Sequence, residues 1–234
     1  MIITIDGPAG SGKSTAARGL AAALGIAYLD SGATYRAVTL AAIRAGVDWA
    51  DEAALAELAR RTHVRLIPEE RGVRVLLGEE DVSAAIRTTE VTEKSRYAAR
   101  SGVVREVLVD LQRRIGRELG DFVAEGRDQG TVAFPQADLK FYLDARPEVR
   151  ARRRHAELTA AGQPADPDGV LQAVVERDRR DRSRAVGPLA KPPGAIEIDT
   201  SDMSVAQMVA AMRAVVIRGG GTGAPPPAGG EARR

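Results

Sequence analysis

Gly7, Gly12, Lys13 and Ser14 stand in the spacing Gly-x4-Gly-Lys-[Ser/Thr], inside the run Asp6-Gly-Pro-Ala-Gly-Ser-Gly-Lys-Ser-Thr15. Glycines let the backbone turn tightly enough for successive N–H groups to face one anion, and the positive end of a following helix adds to the attraction. The loop made of Gly7, Pro8, Ala9, Gly10, Ser11, Gly12, Lys13, Ser14 and Thr15 therefore reads as a polyphosphate cradle. In it Lys13 reaches the outer phosphates and the Ser14 hydroxyl ligates Mg²⁺.

Three further clusters bear on what the cradle serves. In Leu29-Asp-Ser-Gly-Ala-Thr-Tyr-Arg36 the Ser31 hydroxyl, the N–H groups of a helix start and the planar fork of Arg36 can grip a second phosphate. Tyr35 can pack beside a nucleoside, and Asp30 faces the cradle, where a carboxylate holds Mg²⁺ through water. An ordinary helix with Ser31 as its N-cap would carry the same residues. In Val123-Ala-Glu-Gly-Arg-Asp-Gln-Gly-Thr131, Arg127 suits a phosphate, and Asp128 suits a donor such as the exocyclic amino group of cytosine. The alternative there is a salt bridge between neighbours at a strand end.

The last cluster is a pair of arginine groups, Arg150, Arg152, Arg153 and Arg154, then Arg177, Arg179, Arg180, Arg182 and Arg184. Between them runs Ala160-Ala-Gly-Gln-Pro-Ala-Asp-Pro-Asp168, and two arginine-bearing helices joined by such a loop read as a lid that closes over phosphates. Arg177, Asp181 and Arg184 fall at i, i+4 and i+7 on one face, with Asp181 set to orient an arginine or to accept from a ribose hydroxyl. A solvated face of i, i+4 ion pairs is the plainer explanation, but residues 150–154 carry four positive charges and no acid.

Short apolar runs alternate with amphipathic ones, as in a parallel sheet flanked by helices. Strands are predicted near 2–6, 26–30, 121–125, 139–143 and 195–199. Helices are predicted at 14–24, 33–45, 147–161 and 203–217, with a turn-rich piece after 126. Five such strands make one doubly wound sheet with ligands over the carboxyl ends of the strands. Two stretches interrupt the alternation. After a helix at 51–61, period-2 patterning predicts a β-hairpin insertion over 63–83, and a long helix follows near 94–119. The expected organisation is one domain: core 1–62, 99–149 and 185–217, insertion 63–98, lid 150–184, and a disordered Gly- and Pro-rich tail at 218–234.

With 234 residues there is room for one such domain. The absence of cysteine excludes disulfides and thiolate chemistry, and two histidines are too few for a histidine metal centre. Net charge is +2, with 30 arginines against four lysines and no asparagine, so a single arginine says little and only clustering counts. No apolar run approaches the ~18 residues of a membrane span. A cytoplasmic monomer with neither membrane nor nucleic acid as partner is expected.

Taken together these residues resemble the bacterial cytidylate kinases, within the nucleoside monophosphate kinases. The likeness runs from Met1 to about Ile217. It rests on the cradle, on Leu29 to Arg36, Ile86-Arg-Thr88, Val104-Arg-Glu106, Glu125-Gly-Arg-Asp128, Gly130-Thr131 with Phe134-Pro135, and Arg177-Asp178 through Arg184-Ala-Val186. The resemblance implies a P-loop NTPase-type fold, MgATP as donor and CMP or dCMP as acceptor. It further implies that Ser31 and Arg36 hold the CMP phosphate, that Arg105 and Asp128 recognise cytosine with Arg184 close to both base and phosphate, and that Arg177 and Asp181 face the sugar. Lys13, Arg154 and Arg184 are then the groups that stabilise the transferring phosphoryl. Arg96 stands where family members often place a serine, and Gln129 where an apolar residue is usual. A small P-loop kinase for an alcohol such as shikimate would not need the second phosphate grip, and a guanine-nucleotide switch would need an Asn-Lys-x-Asp motif. A nucleic-acid binder would interleave aromatics with its arginines.

Overall fold

In the computed structural model, which describes residues 1–69, 72–160, 162–163 and 165–218, strand β1 (Ile2–Asp6) lies at the centre of a five-stranded sheet. Its neighbours are β6 (Phe122–Gly126) and β7 (Leu139–Asp144), with β2 (Ala27–Asp30) and β8 (Ile196–Asp199) at the edges. Every pairing is parallel, with Ile3 opposite Val123 and Leu139. The order β2-β6-β1-β7-β8 reverses direction at β1, so the carboxyl end of β1 is the switch point at which such sheets bind ligands. This is the doubly wound P-loop sheet that the alternation of apolar and amphipathic runs predicts.

Both faces of the sheet are covered. Ile3, Ile5, Phe141 and Leu143 pack with Ala16, Ala17 and Leu20 of α1 (Lys13–Leu24) and with Met208 and Met212 of α8 (Val205–Ile217). On the other face Leu29, Phe122 and Ala124 meet α2 (Ser31–Ala45), α3 (Glu52–Arg61) and α5 (Gly102–Leu119) through Ala37, Val38, Leu55, Leu108 and Ile115. Small alanines on α1 and α2 let the helices approach the strands closely, which suits a chain with only 3% aromatic residues.

The predicted hairpin is present as β3 (Val64–Glu69) and β4 (Gly72–Leu77), and a third short strand, β5 (Glu80–Asp81), extends it. The long helix expected over 94–119 is two helices, α4 (Thr89–Arg100) and α5. Ser101 breaks them: its backbone is extended and its hydroxyl accepts from the Val104 N–H, capping α5. Apolar periodicity runs through the junction, so only the Ser-Gly pair marks it. Helices α6 (Pro147–Ala160) and α7 (Pro167–Arg182) pack through Ala151, Val170 and Val174. The turn-rich piece after 126 is a turn of π-helix at Gln129–Ala133. Of the expected tail over 218–234, Arg218 caps the end of α8 and residues 219–234 lie outside the described residues.

Since the Ser101 cap is what separates α4 from α5, Ser101→Ala should lower unfolding free energy by ~1 kcal/mol in urea titrations, and Ser101→Asp should retain most of it.

Candidate active site

The phosphate loop leaves β1 at Gly7, where φ is 147° and a Cβ would overlap the Leu143 carbonyl of β7. Only glycine permits this passage. Helix α1 then begins without any side chain on its first N–H groups, whereas α2, α3, α4, α5, α7 and α8 are each capped by a Ser, Thr or Asp side chain. The orphan donors of α1 are left for an anion. Lys13 is buried and folds back to donate to the Pro8 carbonyl at 2.7 Å. Burial, helped by Arg127 and opposed by Glu125, pushes its ammonium down to about 7.

Glu125, buried near the end of β6, accepts from the Ser14 hydroxyl at 2.7 Å and from Tyr28 at 3.3 Å. The sequence places Glu125 in a motif without assigning it a role, and the contact with Ser14 spans 111 positions. Asp30, expected to face the cradle, lies opposite Glu125 in the sheet and has partners on both oxygens. One oxygen caps α2 through the Ala33 N–H, and the other pairs with Arg36 at 2.9 Å and with Arg87 at 3.9 Å. Ser31 is thus the first residue of α2 and not its N-cap, and its hydroxyl donates to the Glu125 carbonyl at 2.6 Å. That contact explains Gly126, since a Cβ there would crowd Ser31 and Gln129.

Beyond β6 the residues expected to bind the monophosphate converge. Arg105, from the first turn of α5, forms a buried ion pair with Asp128, and its guanidinium lies over the Tyr35 ring, 5.6 Å from the centroid. The Tyr35 hydroxyl is buried with no partner among the described residues. Burial pushes the Asp128 carboxyl up despite Arg105, Arg184 and Arg127 around it. Gly187 closes over the pair at φ 59°, where a Cβ would overlap both Arg105 and Asp128. Arg127 donates to Asp181 of α7 at 2.9 Å, and Arg184 pairs with the other oxygen of Asp181. Burial would raise Asp181, but Arg127, Arg184 and Arg177 outweigh it and hold its carboxyl below the usual range. Helix α7 stops at Arg182, so Arg184 lies past its end and reaches Asp181 from the following turn, not from the shared face that its spacing suggests. Arg177 is exposed and has no hydrogen-bond or ion-pair partner among the described residues.

The first arginine group divides. Arg150 is buried and Arg153 donates to Gly10 and Thr200, whereas Arg152 and Arg154 are exposed, Arg154 pairing with Glu157 at 3.1 Å. Thr200, which also donates to the Ser11 carbonyl, had no sequence signal at all.

Asp6 joins the two halves. Its oxygens accept the N–H groups of Gln129 at 2.8 Å and Gly130 at 2.7 Å, which fixes the turn carrying Arg127 and Asp128 against the root of the phosphate loop. Burial pushes Asp6 up to about 7, although both N–H bonds and Lys13 pull it down.

A phosphate loop opening into an uncapped helix at the switch point of a parallel sheet, with a second basic pocket alongside, is the plan of the P-loop kinases. The cytidylate kinase family profile matches residues 3–217. Cytidylate kinase of Exiguobacterium sibiricum is 47% identical over 208 residues, 89% of this chain and 93% of that protein. Cytidylate kinase of Mycobacterium leprae is 47% identical over 210 residues, 90% of this chain and 92% of that protein. This chain belongs to the cytidylate kinase family. An uncharacterised protein of Eubacterium ventriosum of known crystal structure, 14% identical, superposes with a TM-score of 0.50 over 93% of this chain and 98% of that one, a likeness of fold alone.

Asp6 makes stability depend on pH. A folded-state pKa near 7, above the ordinary 3.8, means the neutral carboxyl contributes stability below about pH 4 that is lost as pH rises through 7. Urea titrations of the unliganded protein from pH 5 to 8 should show wild type losing stability relative to Asp6→Asn; a difference independent of pH would mean that Asp6 stays ionised throughout.

Proposed function

We propose that the protein transfers the γ-phosphoryl group of ATP to CMP or dCMP, giving CDP or dCDP and ADP. The observation that carries this reading is the pairing of an uncapped phosphate loop with the buried Arg105–Asp128 pair at one edge of the sheet, in a chain of this family. ATP lies with its phosphates on the N–H groups of residues 7–15 and the Lys13 ammonium. Ser31, Arg36, Arg127 and Arg184 take the CMP phosphate, Arg177 and Asp181 the sugar, and Arg105 and Asp128 the base beside Tyr35. Asp128 accepts from the N4 amino group of cytosine, a donor where uracil presents an acceptor.

Mg²⁺ fits the donors present: a serine hydroxyl and a buried carboxylate within 2.7 Å of each other. No group of three or more His, Cys, Asp or Glu side chains among the described residues could hold a metal alone, as suits an ion that keeps waters and takes substrate oxygens. Ser14 and Glu125 would hold it, with Asp30 at the edge, and it would supply positive charge against the phosphates. The side chains supply alignment and charge. Lys13, drawn from the Pro8 carbonyl to the phosphates, is held charged there by the anion. Arg184 exchanges Asp181 for phosphate, and Arg154, exposed on α6, reaches the transferring group when the lid over 150–184 closes and water leaves. The insertion over 63–98 walls the monophosphate side.

The same reading makes the protein a cytoplasmic monomer acting on small nucleotides, with no nucleic acid or membrane partner. No helix among the described residues is long and apolar enough to cross a membrane.

A coupled assay of ADP formation with CMP, dCMP, UMP, AMP and shikimate should give turnover with CMP and dCMP and none with shikimate. Arg36→Ala and Asp128→Ala should each lower kcat/KM by ~100-fold or more. Asp128→Ala should also narrow the CMP/UMP ratio, and an unaltered ratio would remove Asp128 from base recognition.

A further inference from the structure

Arg150 is the largest side chain among the fully buried ones, at 2% exposure. A guanidinium taken out of water is costly unless its donors are met, so its partners indicate what it is for. They come from three separate elements. Nε donates to the Ala145 carbonyl at 2.8 Å, in the turn between β7 and α6. Nη1 donates to the Ala9 carbonyl of the phosphate loop at 3.1 Å and pairs with Asp178 of α7 at 2.7 Å. The loop lies directly on the base of α6, because a Cβ on Gly10 would stand 3.0 Å from the Arg150 Cβ and 3.2 Å from its carbonyl oxygen.

A trans peptide is planar, with its C=O and N–H on opposite sides. By holding the Ala9 carbonyl, Arg150 therefore also fixes the direction of the Gly10 N–H, which no acceptor among the described residues takes. On the other side Asp178 belongs to the helix whose Asp181 organises Arg127 and Arg184. Asp178 is itself buried, with one oxygen on Arg150 and the other without a partner. A cleft of about 350 Å³ opens beside the pair, which lines it together with Arg146, Val175, Arg182 and Asp199.

We propose that Arg150 is a positioning residue that couples the donor site to the acceptor site. One guanidinium sets the Ala9–Gly10 peptide of the phosphate loop and answers to Asp178, so the docking of α7 and the shape of the cradle favour each other. It touches neither nucleotide. The proposal rests on the reading of residues 7–15 as the ATP site and of the Arg127, Asp181 and Arg184 group as part of the CMP site.

Two variants test it. Asp178→Asn keeps the volume and an acceptor but removes the charge, and Arg150→Lys keeps the charge but loses the fork that reaches three elements at once. Binding of CMP is measured by calorimetry with and without a saturating non-hydrolysable MgATP analogue, and binding of the analogue with and without CMP, together with kcat, each KM and the melting temperature. In wild type each ligand should tighten the other at least fivefold. In both variants each ligand alone should bind within about threefold of wild type, the mutual tightening should fall below twofold, and kcat should drop at least tenfold. Absence of tightening in wild type, or its full retention in variants that merely melt at lower temperature, overturns the proposal. A wild-type protein that binds neither the analogue nor CMP would instead sink the functional reading beneath it.

Discussion

One buried carboxylate holds the two halves of the site in register. Asp6 ends β1 with its oxygens on the N–H groups of Gln129 and Gly130. The phosphate loop springs from its C-terminal side, and the turn bearing Arg127 and Asp128 hangs from its side chain. Removing the carboxylate would leave two buried N–H groups unsatisfied, at ~1–3 kcal/mol each, and would free the turn that carries Arg127 and Asp128 from the phosphate loop. The burial that makes the carboxylate costly to ionise is also what makes its position hard to vary.

Around that joint the site is a ring of arginines already paired with acids: Arg105 with Asp128, Arg127 and Arg184 with Asp181, Arg36 with Asp30. Buried pairs of this kind add little net stability, because desolvation cancels most of the Coulomb attraction. Their use is preorganisation. A guanidinium held by a carboxylate is already desolvated and aimed, so under the proposed function an arriving phosphate or base would replace one partner by another instead of stripping water from a free cation. Asp181 below its usual range and Asp128 above it show two outcomes of one competition. Arg127, Arg184 and Arg177 overcome burial at Asp181, while burial prevails over Arg105, Arg184 and Arg127 at Asp128.

Much of this was legible in the chain. Alternation of apolar and amphipathic runs gave five parallel strands, and fixed spacing located the cradle, because both follow from backbone geometry that any sequence must obey. What stayed hidden was contact between distant segments. Glu125 meets Ser14 across 111 positions and Thr200 meets Ser11 across 189, and no local pattern announces either. The α4–α5 break was hidden for the opposite reason: the apolar period continues through it, and a single Ser-Gly step overrides the period by satisfying the next helix's donors. Asp30 illustrates a third limit, since a carboxylate at a strand tip suits an N-cap as well as a metal, and the structure uses it as the cap.

The arginines make the same point in its strongest form. In a chain with 30 of them, residue type carries almost no information, and Arg150, Arg152, Arg153 and Arg154 look alike on paper. Helical geometry separates them: successive residues turn by about 100°, so neighbours point to different sides. Arg150 is driven inward against the phosphate loop, Arg153 lies across Gly10 and Thr200, and Arg152 and Arg154 remain in solvent. An inward arginine persists only where carbonyls and a carboxylate await it, and an outward one tolerates almost any neighbour. Burial thus sorts a compositional bias into buried ion pairs and ordinary surface.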